Sequence, residues 1–139
     1  MAKDNQTVVL DYLEAIKAGE HELAYAAFAE DATWQTPPSL PWPALFKGRR
    51  AIFDEYFAVD KGLFTTGMDS YNLDITLTIA AGDHVVVEMT HHSTGINGNQ
   101  YETDHCLVFE VRNHLIQAVR EYIDSLYLQR EMIDAAAAN

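Results

Sequence analysis

The sequence predicts an α+β fold, and three observations carry that expectation. Apolar residues recur at helical spacing before Gly62, they alternate with polar ones in long runs after it, and short turn segments separate those runs. Three helices followed by a strongly bent antiparallel sheet place the helices on one face of the sheet. A chain of 139 residues, 48% of them hydrophobic, can bury one substantial core, so residues 1–139 are expected to form a single domain.

The first helix is expected from Asn5 to Ala18, because Val8, Val9, Tyr12, Leu13 and Ile16 share one side, Asp4 or Asn5 can cap it, and Gly19 stops it. A shorter helix from about His21 to Ala29 buries Leu23, Ala26, Ala27 and Phe28. Thr33 to Thr36 reads as a short strand. The following loop, Pro37 to Pro43, is too rich in proline for helix or ladder. Gly48 precedes a third helix from about Arg49 to Val59, striped by Ile52, Phe53, Tyr56 and Phe57. Strands then span Phe64 to Met68, Ser70 to Ile79, His84 to Thr94, Gln100 to Val111 and Leu115 to Ile123. Gly82-Asp83, Gly95 to Asn99 and Arg112 to His114 form the turns between the later ones. Ser125 to Ala138 forms a last, partly exposed helix.

Nine basic against 21 acidic residues give a net charge of -12, a field that repels phosphate backbones and anionic lipid. Nucleic acid and membrane surfaces are therefore not expected partners. The one cysteine, Cys106, leaves no internal disulfide and fits a reducing cytoplasm. No segment approaches the roughly 18 apolar residues of a membrane helix, and Met1 to Gln6 has no long apolar run. A metal site is not expected. His91 and His92 point to opposite faces of one strand, no paired ligand spacing occurs on a helix, and neither a phosphate loop nor a Gly-x-Ser-x-Gly elbow is present. Acid/base chemistry without a cofactor is what remains.

Four segments carry a resemblance to a known family. They are Val9 to Gly19, Phe28 to Trp34, Phe46 to Ile52, and Phe109 to Ile116 leading into Arg120 to Asp124. Their order and spacing resemble the SnoaL-like branch of the nuclear transport factor 2-like superfamily, which includes ketosteroid isomerases, polyketide cyclases and limonene epoxide hydrolases. The resemblance implies a cone-shaped, strongly curved antiparallel or mixed sheet, closed over a pocket by three N-terminal helices, with a short C-terminal helix. It does not imply one activity, because this fold hosts enzymes and binders alike.

Alternation decides which side chains share a face. Val85, Val87, Met89 and His91 resemble the inward positions of the family, and the same logic puts Val119, Glu121 and Ile123 inward on the last strand and Asp104, Cys106 and Val108 inward on the strand between. Glu121, between Val119 and Ile123, loses solvation, which raises its pKa and makes it the candidate general acid or base. It resembles a catalytic aspartate of the epoxide hydrolases, but that family's arginine and second aspartate fall on Met89 and His91, which disfavours epoxide hydrolysis. Tyr12 resembles the oxyanion-binding tyrosine of ketosteroid isomerase, and Asp104, followed by His105, its protonated aspartate. The isomerase base falls on Thr36, so Glu121 or His91 has to supply that role.

Each residue also has a structural reading. Tyr12 lies on a packed helical stripe, Asp104 could sit at the surface, His91 could be a satisfied polar group, and Glu121 could pair with a cation. Cys106 reads as an inert small hydrophobe. Trp34, Trp42, Phe53, Tyr56 and Phe57 form an aromatic zone that suits an aromatic or alicyclic ligand, although Phe53 and Phe57 also fit the core. The expected catalytic set is therefore Glu121, His91, Asp104 and Tyr12, and the expected substrate-binding set is Trp34, Trp42, Tyr56, Met89, Val119 and Ile123. The function expected is a cofactor-independent isomerase, lyase or cyclase for a small hydrophobic molecule, with a non-catalytic binder and a dimerisation domain as rivals. The outward residues Val86, Glu88, Thr90 and Tyr122 suggest a homodimer.

Overall fold

The structure is a computed structural model that describes residues 3–64 and 72–135, with the backbone alone at 60 and 61. Helix α1, Asn5–Ala18, begins where the Asp4 side chain accepts a 2.7 Å hydrogen bond from the Thr7 amide, and ends at Gly19, whose φ of 71° turns the chain left-handed. Its buried side, Val8, Val9, Tyr12 and Leu13, packs on the later strands, and α2, His21–Ala26, folds back beside it. The second helix stops three residues earlier than the periodicity suggests. Phe28 and Ala29 already belong to strand β1, Phe28–Gln35, which is accordingly longer than the expected strand.

After the proline-rich loop, β2, Leu45–Lys47, pairs antiparallel with β1; the sequence reading has no strand there. The third helical segment is composite: α3, Arg49–Ala51, a π-helical turn, Ile52–Tyr56, and α4, Phe57–Leu63. The widened turn brings Ile52 and Tyr56 into the core. Phe64 makes an isolated bridge to Gly95, and the rest of the expected strand Phe64 to Met68 lies outside the described residues. Strands β3, Asn72–Ala81, β4, His84–Thr94, β5, Gln100–Arg112, and β6, Leu115–Tyr122, follow. The β5–β6 turn places both Asn113 (φ 54°) and His114 (φ 63°) in the left-handed region, the geometry of a tight hairpin. Helix α5, Ser125–Leu128, capped by Asp124, runs into a second π-helical turn, Gln129–Asp134.

The six strands form one sheet in the order β2-β1-β6-β5-β4-β3. The sheet is mixed, because β1 runs parallel to β6 while every other pair is antiparallel. Register shifts between Ile75 and Leu77, between Glu110 and Val111, and between Phe28 and Thr33 bend it into the curved, unclosed cone that the sequence implies. Its inner face holds two hydrophobic clusters. The larger gathers Phe28, Trp34, Tyr56, Val87, Phe109 and Val119 under α1, and the smaller gathers Leu40, Phe64, Tyr101, Leu128 and Met132 near the C-terminus.

Candidate functional site

Among the described residues, Glu121 is the one buried carboxylate. β6 alternates, so Val119 and Glu121 turn inward as expected, and the ladder sets Val119 opposite Phe109 and Glu121 opposite Leu107. Only 9% of Glu121 is exposed. Its Oε1 accepts a hydrogen bond of 2.9 Å from the Trp34 indole nitrogen and a second from the Tyr56 hydroxyl. Trp34 comes from β1, beside Val119 in the parallel pairing, and Tyr56 from the π-helical turn. The Trp34 and Tyr56 rings lie 5.1 Å apart, with Phe57 and Phe46 against them. Burial raises the Glu121 pKa above its usual value, and the Tyr56 and Trp34 donors oppose that rise only in part.

His91 is buried at 3% exposure in a different neighbourhood. Its Nε2 lies 2.8 Å from Ser93 Oγ, two residues along the same face of β4. Its ring packs against Phe64, Tyr101 and His105, at centroid distances of 5.5, 5.3 and 5.1 Å. Tyr101 Oη lies 3.2 Å from His105 Nε2. Desolvation first, then the neighbouring His105 and His92 rings, lower the His91 pKa to about 3. Desolvation lowers His105 to about 4 against the pull of the Asp104 carboxylate. Both imidazoles are thus neutral near pH 7. The expected partners Glu121 and His91 are sorted into two groups, the first among Trp34 and Tyr56 and the second among Phe64, Tyr101 and His105.

The expectation for Asp104 is overturned. β4 and β5 pair with Val87 opposite Leu107, Met89 opposite His105 and Thr90 opposite Asp104. Residues opposite each other share a face, so inward Val87 and Met89 require inward Leu107 and His105. Asp104 is exposed, where it accepts a 2.9 Å bond from the Thr90 hydroxyl, and Cys106 and Val108 share its outer face. His105, Tyr101 and Ser93 are the inward polar residues that the sequence reading missed. The alternation of Tyr101, Leu107, Phe109 and Val111 against Glu102, Asp104 and Glu110 was the available signal.

Tyr12 is buried edge-on to Phe28 and Phe109, at 5.0 and 6.1 Å. Met89 and Val119 belong to the larger cluster, and half-buried Ile123 packs on the smaller one. Trp42 touches both clusters, and its enclosed indole nitrogen has no hydrogen-bond partner among the described residues. The loop that carries it is anchored where the Thr36 hydroxyl donates to the Pro43 carbonyl at 3.1 Å. A separate groove of about 780 Å³ is lined by residues of α1 and α2 with Lys3 and His114, and of the expected residues it includes only Tyr12. Among the described residues, no helix is long and apolar enough to cross a membrane, and no three His, Cys, Asp or Glu side chains group as metal ligands would.

A family model described as the SnoaL-like domain matches residues 9–119, ending two residues before Glu121. No curated protein matches the sequence. Among solved structures, an NTF2-like protein of unknown function from Burkholderia pseudomallei is 19% identical with a TM-score of 0.81, covering 94% of this chain and 98% of its own. TerC, co-crystallised with polyporic acid, is 18% identical with a TM-score of 0.79, over 91% of this chain and 96% of its own. Bal32a, from a soil-derived mobile gene cassette, is 24% identical with a TM-score of 0.76, over 88% and 91%. At these identities the likeness is one of fold.

Proposed function

The chain belongs to the SnoaL-like domain family, and from that premise we propose that it binds a small, largely apolar molecule inside the cone and carries out cofactor-free acid/base chemistry on it at Glu121, as an isomerase, lyase or cyclase. The observation that carries this reading is the enclosed Glu121 carboxyl, fixed by Trp34 and Tyr56 and with its pKa raised above the ordinary value by burial. Among fold-mates, TerC was crystallised with polyporic acid, which supports an organic ligand of that size class for this chain. Crystals soaked with a panel of steroids, terpenoids and phenolics test the reading directly. Density beside Trp34 and Glu121 is expected, and a panel that leaves the interior unchanged refutes it.

A pure binding protein is the second reading, favoured by the separation of Glu121 from the His91 group. Trp42 serves either one. Its indole spans the two clusters, so Trp42→Ala is expected to weaken apolar ligands by about 1 to 3 kcal/mol, the cost of one lost aromatic contact surface. Fluorescence titration of the variant checks this, and unchanged affinity removes Trp42 from the binding site.

We place the protein in a reducing cytoplasm as a homodimer. The outer sheet face aligns Ile79 with Val86 and Val108, and Leu77 with Glu88, Cys106 and Tyr122. Ile79 is 53% exposed, Leu77 43% and Tyr122 53%, more apolar area in one patch than a solvated sheet usually carries. Light scattering is expected to give twice the chain mass of 15.6 kDa, and Val108→Lys to return the monomer. A monomer mass at every concentration rules the dimer out.

A further inference from the structure

Two charged residues sit inside the apolar patch on the outer sheet face. The strand registers lay that face out in rows. One row runs Ile79, Val86, Val108 and Arg120 from β3 to β6, and the next runs Leu77, Glu88, Cys106 and Tyr122. In these two rows only Arg120 and Glu88 are charged. Among the described residues neither makes an ion pair, whereas Lys3, Lys17 and Arg112 all do. Glu110, which the register places diagonal to Arg120, is engaged by Arg112.

Arg120 and Glu88 cannot easily serve each other within one chain. Arg120 is on β6 and Glu88 on β4, so β5 lies between them and two strand spacings set their backbones about 10 Å apart. Arg120 is already half-buried. Covering the patch without a counter-ion for it would leave a buried charge uncompensated, which is costly. A partner that fits therefore brings a carboxylate to Arg120 and a cation to Glu88. A second copy of this chain carries that set, because a two-fold interface presents the same patch from both sides.

The positions also select the axis. A two-fold axis running along β5 lays β6 of one copy over β4 of the other, which brings Arg120 to Glu88 twice and sets Val108 against its own equivalent. An axis across the strands lays β6 over β6 and leaves both charges without a partner. Resting on the homodimer reading above, we infer that two reciprocal ion pairs, Arg120 of each copy with Glu88 of the other, fix the register of the dimer about an axis along β5. The other carboxylates of β3, β4 and β5 on this face, Asp74, Glu102 and Asp104, lie in rows nearer the Thr94 end of β4, where Asp74 and Glu102 flank His92. Each copy has a net charge of -12, so association is opposed at long range and the one cation in the patch orients it.

Charge reversal tests the pairing without any ligand. Glu88→Arg alone and Arg120→Glu alone each set like charges together twice, and each is expected to weaken self-association at least about tenfold in sedimentation equilibrium. Mixing the two variants restores opposite charges at both contacts, so two proteins that associate poorly alone are expected to form a heterodimer within about threefold of the parent affinity. An effect confined to one chain cannot produce that heterodimer. Circular dichroism checks the fold of each variant. Should a reversal unfold the chain, a double-mutant cycle with Glu88→Gln and Arg120→Gln reads the same coupling. A parent dimer that neither reversal weakens, variants that stay apart when mixed, or a cycle without coupling overturns the ion pairs and leaves the homodimer reading standing. A parent that is monomeric at every concentration overturns both.

Discussion

Moving from pH 7 to pH 5 is expected to remove roughly 3 kcal/mol of stability through His91 and His105 alone. Their folded pKa values, about 3 and about 4, lie below the 6.5 of an ordinary imidazole. Between those limits the unfolded chain binds more protons than the folded one, so stability rises with pH. Their contribution is complete above pH 6.5 and is lost as the pH falls toward 4. An imidazole that cannot protonate in the fold forfeits about 2 kcal/mol between pH 7 and pH 5. His105 is more open than His91 and contributes the smaller share. Glu121, whose pKa is shifted the other way, and the easing of the -12 charge both act in the opposite sense, so the measurement is differential. Urea unfolding at the two pH values is expected to show a smaller loss in His91→Leu than in the parent protein. Equal losses in both would mean that His91 titrates normally in the fold.

The same two strands show where sequence reading succeeds and where it stops. The faces of β4 and β6 were legible because Val85, Val87 and Met89, and likewise Val119 with Ile123, form one-sided apolar sets whose period is the strand's own. On β5 the expectation took the opposite phase, with Asp104, Cys106 and Val108 inside, although Tyr101, Leu107, Phe109 and Val111 alternate against it. The ladder decides against it, since a face is shared across strands and Thr90 is on the outside. The surroundings of Glu121 were legible only by half. Its apolar flanks are adjacent in sequence, whereas its donors Trp34 and Tyr56 are 87 and 65 residues away and arrive through a parallel pairing and a π-helical turn. Neither has a local signature: β1 reads as an ordinary strand, and the stripe of Ile52, Phe53, Tyr56 and Phe57 fits an α-helix equally well. The length of β1 was missed for a related reason, because Phe28 and Ala29 suit the buried side of a helix as well as the start of a buried strand.

Glu121→Gln is expected to abolish turnover while leaving the fold intact and, at neutral pH, more stable. The amide is nearly isosteric with the acid, and its oxygen can still accept from Trp34 and Tyr56, so the positions of both rings are kept. What it cannot do is give up and recover a proton. The loss in kcat should therefore reach about 10²- to 10⁴-fold, the usual contribution of a positioned general acid or base, with KM little changed because binding does not require the transfer. The stability effect has a definite sign. Burial raises the folded pKa of Glu121 above its ordinary 4.5, so the folded state binds more protons than the unfolded one over the interval between the two values. The stabilisation this gives is complete below pH 4.5 and is lost as the pH rises through the folded pKa, where the buried group is forced to ionise. The amide has no such penalty. Melting temperatures of parent and variant should accordingly converge near pH 4 and separate above it, the variant melting higher at pH 8. Parallel curves across that range would show Glu121 titrating as an ordinary surface carboxylate, and full turnover in the variant would remove it as the acid or base.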